Sequence, residues 1–449
     1  MFSRREFLRM NLAAGAAGFA VSHPFLFNRQ VMAAQSGSSA KRMIFIFQRG
    51  GNDGINTIIP RGDREYSQRN RPTLHIPETD ALDLGNGFAQ AHPRLEPMMD
   101  MYGNGKGSLA MLHRIGYAKQ SRSHFDSQNY WEHGVPGDAG LKEGMFFRQL
   151  VETLDMSDPK NGFVAASVSS SQLLALRGES PFPSFKAAKR FRLQGNENLA
   201  NKTLGREATK GKPVPRGVLG LYESDPVMMS DQKKLYTELV QNTGQALGST
   251  LKKVQDASRR AYEPANGASY PNGDFGQKLQ EAAMLIKRTD VKILGLNIGG
   301  WDTHADQGQA NGSHGNRLGE VAQGFQALHL DLQAEWDDVI VVTMTEFGRT
   351  SKENAGKGTD HAEASAMFIA GGGVKGGIYN CDESRWKNGD LFSENKRYLA
   401  RKTDFRAVFG EIFRKHFGDD DATLEKVIPG YGEAGVSRPD DFSPLGFMA

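Results

Sequence analysis

Residues 338–361 read DVIVVTMTEFGRTSKENAGKGTDH and combine an apolar run with a charged loop. Residues 339–344 are β-branched and apolar without the alternation of a half-exposed strand. They predict a strand buried on both faces, as in a parallel sheet covered by helices. Charge begins directly afterwards at Glu346, and the stretch ends in Asp360 and His361. Because ligands of open α/β sheets bind beyond the carboxyl ends of the strands, this stretch predicts both the fold class and the position of a functional site.

Other segments repeat the alternation of strand and helix that is typical of a parallel sheet. Further strands are predicted at residues 41–47, 109–112, 163–168, 291–298 and 366–370, with a short one near 73–76. Apolar residues at helical spacing predict amphipathic helices over residues 277–288 and 318–332. Ser123 followed by Asp126 is typical of a helix start. The sequence therefore predicts one α/β domain over residues 41–449, with a mostly parallel central sheet.

The composition restricts the class of protein. The chain has 449 residues, a formal net charge of +3 and a single cysteine, so no intramolecular disulfide can form. The near-neutral charge argues against a dedicated nucleic-acid-binding protein, whose basic patch would dominate the balance. A basic stretch near residues 184–216 is predicted to be an exposed insertion, either a solvated loop or a rim that collects anions.

The N-terminal residues 1–34 have the order of a bacterial signal peptide. Residues 4–8, RREFL, match the twin-arginine export signal, a weakly apolar segment follows at 10–21, and cleavage is expected after Ala33 or Ala34. The apolar segment is too short to span a bilayer comfortably. The sequence therefore predicts a protein that the twin-arginine translocase exports in folded form to the periplasm or the medium, with no stable membrane span after cleavage.

Potential metal ligands follow four of the predicted strands. They are Asp53, Asp302 with His304, Glu346, and Asp360 with His361. Carboxylates and imidazoles that meet at one sheet edge are ligands for a divalent ion, with Zn²⁺ first and Mn²⁺, Ca²⁺ or Mg²⁺ as alternatives, and two such ions would support an in-line displacement. Each residue also has a structural alternative: Asp53 as a turn former, His304 as a satisfied structural histidine, and Glu346 as a helix cap. The number of ions stays open.

Five motifs carry a resemblance to a known family. They are FQRGGNDGINT (47–57), RSHFDSQNYWEHG (122–134), GWDTHADQG (300–308), TEFGRTSKENAGKGTDHAEA (345–364) and KTDFRAVFGEIF (402–413). In this order they resemble the bacterial exported family called domain of unknown function 1501, which is in turn similar to the alkaline phosphatase and sulfatase superfamily. The resemblance implies an alkaline phosphatase-like three-layer α/β/α fold and a metal-dependent hydrolase of small phosphate or sulfate esters.

The resemblance also implies roles for individual residues. The superfamily's metal ligands correspond here to Asp53, Asp302, His304 and His361, with Asp360 beside the last of these. The superfamily's nucleophile lies at a helix N-terminus, where free N–H groups and the helix dipole favour developing negative charge. Ser123 is the best match to that nucleophile, and Ser121 is the fallback.

The chain departs from the superfamily at residues 346–348, where the hydrolases have Asp-His-Gly with both side chains on metal. Phe347 replaces the histidine, so the second metal site is expected to be weaker, reduced to one ion or absent. His124 either completes that site or is an exposed histidine. Arg349 either grips a substrate anion with two hydrogen bonds or pairs with a neighbouring glutamate. The alternative to an enzyme is a non-catalytic periplasmic protein that binds a metal or an anion on a degenerate phosphatase-like fold.

Overall fold

The structure is a computed structural model that describes residues 41–156, 158–179, 182–191, 248–431 and 442–449. These residues fall into two compact units. The larger unit contains the described residues of Ser36–Glu152, Ala165–Ala187 and Ala261–Ala449, and the smaller unit contains those of Thr153–Val164 and Ala188–Arg260. The predicted signal peptide and most of the predicted basic insertion lie outside the described residues.

An eight-stranded mixed sheet forms the centre of the larger unit. The strands of the chain are β1 Arg42–Gln48, β2 Ile58–Ile59, β3 Leu82–Asp83, β4 Gln90–Ala91, β5 Leu109–Gly116, β6 Ala165–Ser167, β7 Ile293–Ile298, β8 Val339–Thr345, β9 Ser365–Gly371, β10 Gly377–Tyr379 and β11 Thr403–Asp404. The large sheet has the order β10-β5-β9-β8-β1-β7-β6, with β11 paired to β5, while β2, β4 and β3 form a small antiparallel sheet. Only the pairs that include β9 are antiparallel in the large sheet as described, so the predicted α/β fold with a mostly parallel sheet is confirmed.

Helices flank and connect the strands. Apart from a helical segment at residues 248–258, the described α-helices are α1 Gly54–Thr57, α2 Met99–Tyr102, α3 His124–His133, α4 Met145–Thr153, α5 Asp274–Arg288, α6 Ser313–Asp331, α7 Phe405–Ile412 and α8 Asp421–Val427, and a π-helix spans Phe413–Phe417. Short 3₁₀ segments occur at Pro93–Met98, Gly103–Gly105, Pro159–Phe163, Leu174–Leu176, Ala188–Arg190, Trp336–Asp338 and Asp390–Phe392. The helices predicted from apolar spacing are α5 and α6. Within the described residues, no helix combines the length and apolar character needed to cross a membrane.

The smaller unit is described over short segments. Within its described residues, positions 248–258 are helical and bury Leu251 and Val254. The hydroxyl of Thr250 donates a hydrogen bond of 2.7 Å to the backbone carbonyl of Gly162. This contact attaches the helix to the 3₁₀ segment of the same unit.

The middle of the sheet explains where a site can form. The side chains of β1 and β8 are almost all buried, and each large apolar side chain removed from water contributes about 1.5–3 kcal/mol. In the parallel register Gln48 lies beside both Ile298 and Thr345, so β1, β7 and β8 end level with one another. β5 runs in the same direction, because β5 and β8 both pair antiparallel with β9. The loops after these four strands, and the loop that leads into β9, therefore meet at one edge.

The prediction of a short strand near residues 73–76 is wrong. The segment is a turn whose backbone groups bond to side chains instead of to a neighbouring strand. The N–H groups of Thr73 and Leu74 donate to the carboxylate of Glu353 at 2.8 and 3.1 Å, and the amide of Asn56 donates to the carbonyl of Leu74. β-Branched composition alone could not reveal these distant partners.

Candidate metal centre

Three histidines and an aspartate meet at the carboxyl edge of the sheet. Asp302 and His304 follow β7, His361 precedes β9, and His124 is the first residue of α3, which follows β5. One ligand atom each from His124, Asp302 and His361 lies within 4.8 Å of the other two. The structure therefore brings together residues that stand more than two hundred positions apart in the sequence.

Asp302, His304 and His361 form a tight triangle of potential ligand atoms. The Nε2 atoms of His304 and His361 are 2.9 Å apart, and they lie 3.1 and 3.3 Å from Oδ1 of Asp302. Two nitrogen or oxygen ligands of one divalent ion, each about 2.1 Å from the metal, are themselves about 3.0–3.4 Å apart. The triangle therefore has the dimensions of one face of a metal coordination shell.

In both histidine rings of the triangle, the hydrogen-bond partner of Nδ1 determines which ring nitrogen carries the proton. Nδ1 of His361 lies 2.8 Å from the backbone carbonyl oxygen of Arg122, and a carbonyl can only accept, so this Nδ1 carries the hydrogen. Nδ1 of His304 lies 3.2 Å from Oδ1 of Asp360, which likewise accepts. In the neutral rings both Nε2 atoms then present lone pairs to each other and to Asp302. Such a group of facing acceptors is stabilised by a cation.

Glu346 holds the third histidine in the same way. Nδ1 of His124 lies 3.0 Å from Oε1 of Glu346, which leaves Nε2 of the ring 3.4 Å from Oδ2 of Asp302. Oε1 also accepts from the backbone N–H of Gly50 and from the amide of Gln128, whereas the buried Oε2 has no hydrogen-bond partner among the described residues. The hydrogen bond with Glu346 raises the pKa of His124. Glu346 thus lies behind a histidine, as carboxylates do in many metal sites.

Arg349 lies buried beneath the cluster and does not turn its guanidinium to solvent. Nη2 donates to Oδ1 of Asp302 at 2.6 Å and to the carbonyl of Trp301 at 3.0 Å, while Nε and Nη1 donate to the carbonyls of Gly51 and Thr359. Burial acts to raise the pKa of Asp302, but the hydrogen bond and charge of Arg349 lower it overall. The observed ion-pair partner is therefore Asp302 and not a glutamate. A contact of Arg349 with substrate stays a prediction.

Asp53 lies in a separate network of hydrogen bonds. Nη1 and Nη2 of Arg71 donate to its two carboxylate oxygens at 2.7 and 3.2 Å, and the amide of Gln307 donates at 2.6 Å. Asp53 is also the N-cap of α1, where its carboxylate accepts from the backbone N–H of Ile55. Burial acts to raise the pKa of Asp53, but the charge and hydrogen bonds of Arg71, together with His314 and Gln307, lower the pKa to about 2. Its hydrogen bonds do not go to the three histidines of the cluster. A metal bound to Asp53 stays a prediction.

The two candidate serines lie at the start of α3. Ser123 is the N-cap, and its Oγ accepts a long hydrogen bond of 3.5 Å from the N–H of Asp126, so the predicted helix start is confirmed. The hydroxyl of Ser121 donates to the carboxylate of Asp126 at 3.0 Å. Ser123 directly precedes His124 and therefore lies beside the cluster along the chain. Its role as a nucleophile stays a prediction.

Phe347 forms an aromatic wall beside two of the histidines. The ring is buried, and its centroid lies 4.3 Å from that of His361 and 4.9 Å from that of His124. A methyl group on Gly51 would lie 2.5 Å from this ring, and one on Gly50 would overlap the backbone nitrogen of Asp302. The two glycines after β1 are therefore needed for the close packing of the loops.

Sequence reasoning missed the amide side chains that complete the cluster. Gln128 lies one helical turn after His124 and donates at 3.0 Å to the oxygen of Glu346 that holds that histidine. This spacing was a usable signal, because residues i and i+4 share one face of a helix. Asn354 donates to Asp360 at 3.0 Å from an irregular loop. No periodicity in the sequence could have located it.

The fold and the cluster define an α/β protein with histidines and carboxylates at the carboxyl edge of its sheet. Residues 226–394 match the model of a family described as "Protein of unknown function (DUF1501)", so the predicted resemblance to domain of unknown function 1501 is confirmed over that range. The matched range contains Asp302, His304 and His361, whereas His124 and Ser123 precede it. A comparison with curated proteins finds no match.

Proposed function

We propose that this chain is a divalent-metal-dependent hydrolase of phosphate or sulfate esters on an alkaline phosphatase-like three-layer α/β/α fold. One observation carries the proposal. Each of three histidine rings is held at Nδ1 by an oxygen atom and turns its Nε2 toward the carboxylate of Asp302. That arrangement supplies several neutral nitrogen ligands and one carboxylate to a single point, which is the ligand set of Zn²⁺ and related ions.

The proposed ligands are Nε2 of His124, His304 and His361 together with the carboxylate of Asp302. Glu346 and Asp360 are then the groups that orient two of these rings, a role that differs from the direct ligation expected from sequence. A bound divalent ion would supply Lewis-acid stabilisation of the ester oxygens and activation of the attacking group.

The protein itself supplies a place for the anionic group of the ester. The first turn of α3 has N–H groups without partners inside the helix, and such a helix start favours a phosphoryl or sulfuryl group. Ser123 stands at this start, one residue before a proposed ligand. It is the proposed nucleophile, and activation by the neighbouring cation would draw off its proton.

Elemental analysis of the full-length protein, purified without chelator, tests the metal site. We expect at least about one Zn²⁺ or Mn²⁺ per chain and strong loss of metal in His361→Ala. Turnover of para-nitrophenyl phosphate and sulfate by the metal-loaded protein tests the chemistry, and Ser123→Ala should reduce it by at least about a hundredfold. A fully metal-loaded protein that leaves every aryl ester intact would contradict the hydrolase.

A non-catalytic metal- or anion-binding protein is the second candidate. It is favoured by Phe347, which replaces the superfamily histidine and packs against His361 and His124. It is also favoured by Ser123, whose hydroxyl caps a helix. Metal that binds tightly without turnover, and ligand binding that is unchanged in Ser123→Ala, would select this candidate.

Export through the twin-arginine pathway is part of the proposal. Its support is the RREFL sequence at residues 4–8 and the small residues near Ala33. Replacement of both Arg4 and Arg5 by lysine should leave the unprocessed chain in the cytoplasmic fraction, whereas the unchanged chain should be processed and appear in the periplasm. Processing of the double variant at the wild-type rate would contradict this route.

A further inference from the structure

Two exposed arginines, Arg122 and Arg397, contact the ring of the buried Tyr398 beside the cluster. The guanidinium carbon of Arg122 lies 5.0 Å from the centroid of the Tyr398 ring, and that of Arg397 lies 5.4 Å from the same centroid. Each is about 5 Å from one point, so the two cations are at most about 10 Å apart. Contact with an aromatic face positions a guanidinium without neutralising its charge.

The charge of these arginines is largely uncompensated. Arg122 is exposed, and within the described residues it forms no ion pair with a carboxylate. Arg397 pairs with Asp360 at 3.4 Å, but its side chain is 57% exposed, and exposed ion pairs are weak. Glu363 also lies within electrostatic range: burial and Glu394 raise its pKa, while Arg122 acts in the opposite direction. Of the two guanidiniums, only that of Arg397 therefore has a carboxylate partner, and this ion pair is exposed to solvent.

Arg122 contacts the cluster directly through its backbone, and Arg397 is connected to it through Asp360. The backbone carbonyl of Arg122 accepts from Nδ1 of His361 at 2.8 Å. Asp360 contacts Arg397 through one oxygen and Nδ1 of His304 through the other. An anion held by these guanidiniums would thus lie near the groups that orient His304 and His361.

The backbone that presents the arginines adopts a rarely used conformation. Arg122 has φ +59°, and Asn395 and Lys396, which precede Arg397, have φ +52° and +53°. Residues other than glycine are uncommon in this left-handed region, and a surrounding structure that maintains them there often belongs to a functional site.

We propose that Arg122, Arg397 and Tyr398 form an anion subsite beside the candidate metal centre. The substrate of the hydrolase then carries a second sulfate or phosphate group next to the ester that is cleaved. The planar guanidinium fork matches the oxygens of either group with two parallel hydrogen bonds. The substrate class rests on the proposed function, whereas the binding of a polyanion does not.

The test is calorimetric titration of the full-length protein in the presence of a chelator. Inorganic tripolyphosphate and dextran sulfate are the probes, with orthophosphate as the single-anion comparison. We expect Arg122→Gln combined with Arg397→Gln to weaken binding of the preferred probe by about tenfold or more. The preferred probe distinguishes a phosphate from a sulfate subsite.

The matched control is Arg69→Gln, which removes the same charge from an exposed arginine without an ion pair in the described part of the chain. It should bind the preferred probe as the wild type does. Equal losses in the control and the double variant would overturn the subsite, because general surface charge would then explain the binding. Unchanged binding by the double variant would overturn it too.

Two further measurements separate this proposal from the hydrolase. Arg122→Lys combined with Arg397→Lys keeps both charges but loses the forks, so its binding should fall between wild type and the glutamine variant. If aryl esters are hydrolysed but the glutamine variant binds polyanions normally, the hydrolase stands and the subsite falls. If polyanion binding depends on both arginines but no metal or turnover is found, the anion site stands without the hydrolase. The single variant Arg397→Gln, on an exposed side chain, serves as the test if the double variant does not fold.

Discussion

His304 and His361 bring their Nε2 atoms to 2.9 Å, where two neutral rings gain a hydrogen bond only if one of them moves its proton from Nδ1. If His361 moved its proton, its Nδ1 would face the carbonyl of Arg122 without a hydrogen between them. If His304 moved its proton, its Nδ1 would face the carboxylate of Asp360 in the same way. A second proton on His361 is disfavoured, because burial lowers the pKa of this ring and Arg349 acts in the same direction. A divalent cation would satisfy all of these atoms together.

Glu346→Gln tests the orienting carboxylate at the level of one residue. The amide keeps the side-chain volume, but it loses the charge and offers either a donor or an acceptor to Nδ1 of His124. Metal affinity should fall about 10- to 100-fold, measured by competition with a chromophoric chelator. The exposed Glu96→Gln, with the same chemical change, should bind metal as the wild type does. Wild-type affinity in a folded Glu346→Gln would contradict the orienting role.

Arg71→Met tests the buried ion pair with Asp53. Both side chains are fully buried and 2.7 Å apart, so removal of one partner leaves an uncompensated charge that costs about 3–5 kcal/mol near pH 7. The pKa of Asp53 is lowered to about 2, so the stability that this pair contributes is present above the unfolded pKa of 3.8 and is lost as the pH falls toward 2. The difference between variant and wild type, measured by urea unfolding, should therefore shrink below about pH 4.

The double variant Asp53→Asn with Arg71→Met supplies the control. It leaves no unpaired carboxylate at position 53, so it should be more stable than Arg71→Met alone. Stability that is no better in the double variant would show that the loss comes from packing and not from charge.

The sequence indicates individual site residues where they directly follow a strand. Asp302 and His304 were found in this way, because the end of β7 has a clear apolar boundary. Arg71, the ion-pair partner of Asp53, lies in an irregular segment 18 residues further along the chain. Nothing local predicts that pairing, since an ion pair through space has no sequence period.

Gly51 shows how an element boundary determines the site. It has φ +86° in the loop after β1, and an added methyl group would lie 2.5 Å from the ring of Phe347. Gly51→Ala should therefore destabilise the protein by about 1–3 kcal/mol and reduce its metal content, measured by thermal unfolding and elemental analysis.

Gly85→Ala is the matched control for that substitution. Gly85 has φ +71°, yet an added methyl group would meet nothing within 4 Å. Gly85→Ala therefore introduces backbone strain without steric overlap. The substitution should lower the free energy of unfolding by about 1 kcal/mol and leave the metal content unchanged. Equal metal loss in both variants would contradict the packing argument.

At the scale of elements, the sequence predicted the strands better than their directions. β8 and β9 were both recognised as apolar runs, but their antiparallel pairing was not foreseen. The connection between them contains the site loop and no helix, so the chain returns along the neighbouring strand instead of crossing over. A parallel crossover needs a dozen or more residues, usually including a helix, and the absence of helical periodicity in residues 346–364 was the available signal.

For the whole molecule, an ion bound at the cluster would cross-link loops that the sequence separates widely. A ligand that binds only the folded state stabilises it by RT ln(1 + [L]/Kd), about 2.7 kcal/mol at a hundred times Kd. The loops that hold His124, Asp302 and His361 follow β5, follow β7 and precede β9, so one ion would restrain three connections of the sheet at once. We therefore expect a chelator to lower the unfolding temperature of the metal-loaded protein by a few degrees, and added Zn²⁺ to restore it.

His361→Ala distinguishes specific stabilisation from a general effect of metal on the protein. The variant lacks a proposed ligand, so its unfolding temperature should respond neither to chelator nor to Zn²⁺ when measured by differential scanning calorimetry. His329→Ala, which removes a histidine of α6 that packs against Trp336, should still respond as the wild type does. An equal shift in all three proteins would show that the ion acts elsewhere. A shift confined to the wild type and His329→Ala would show that the cluster binds the ion, because only a site in the folded state can couple the metal to unfolding.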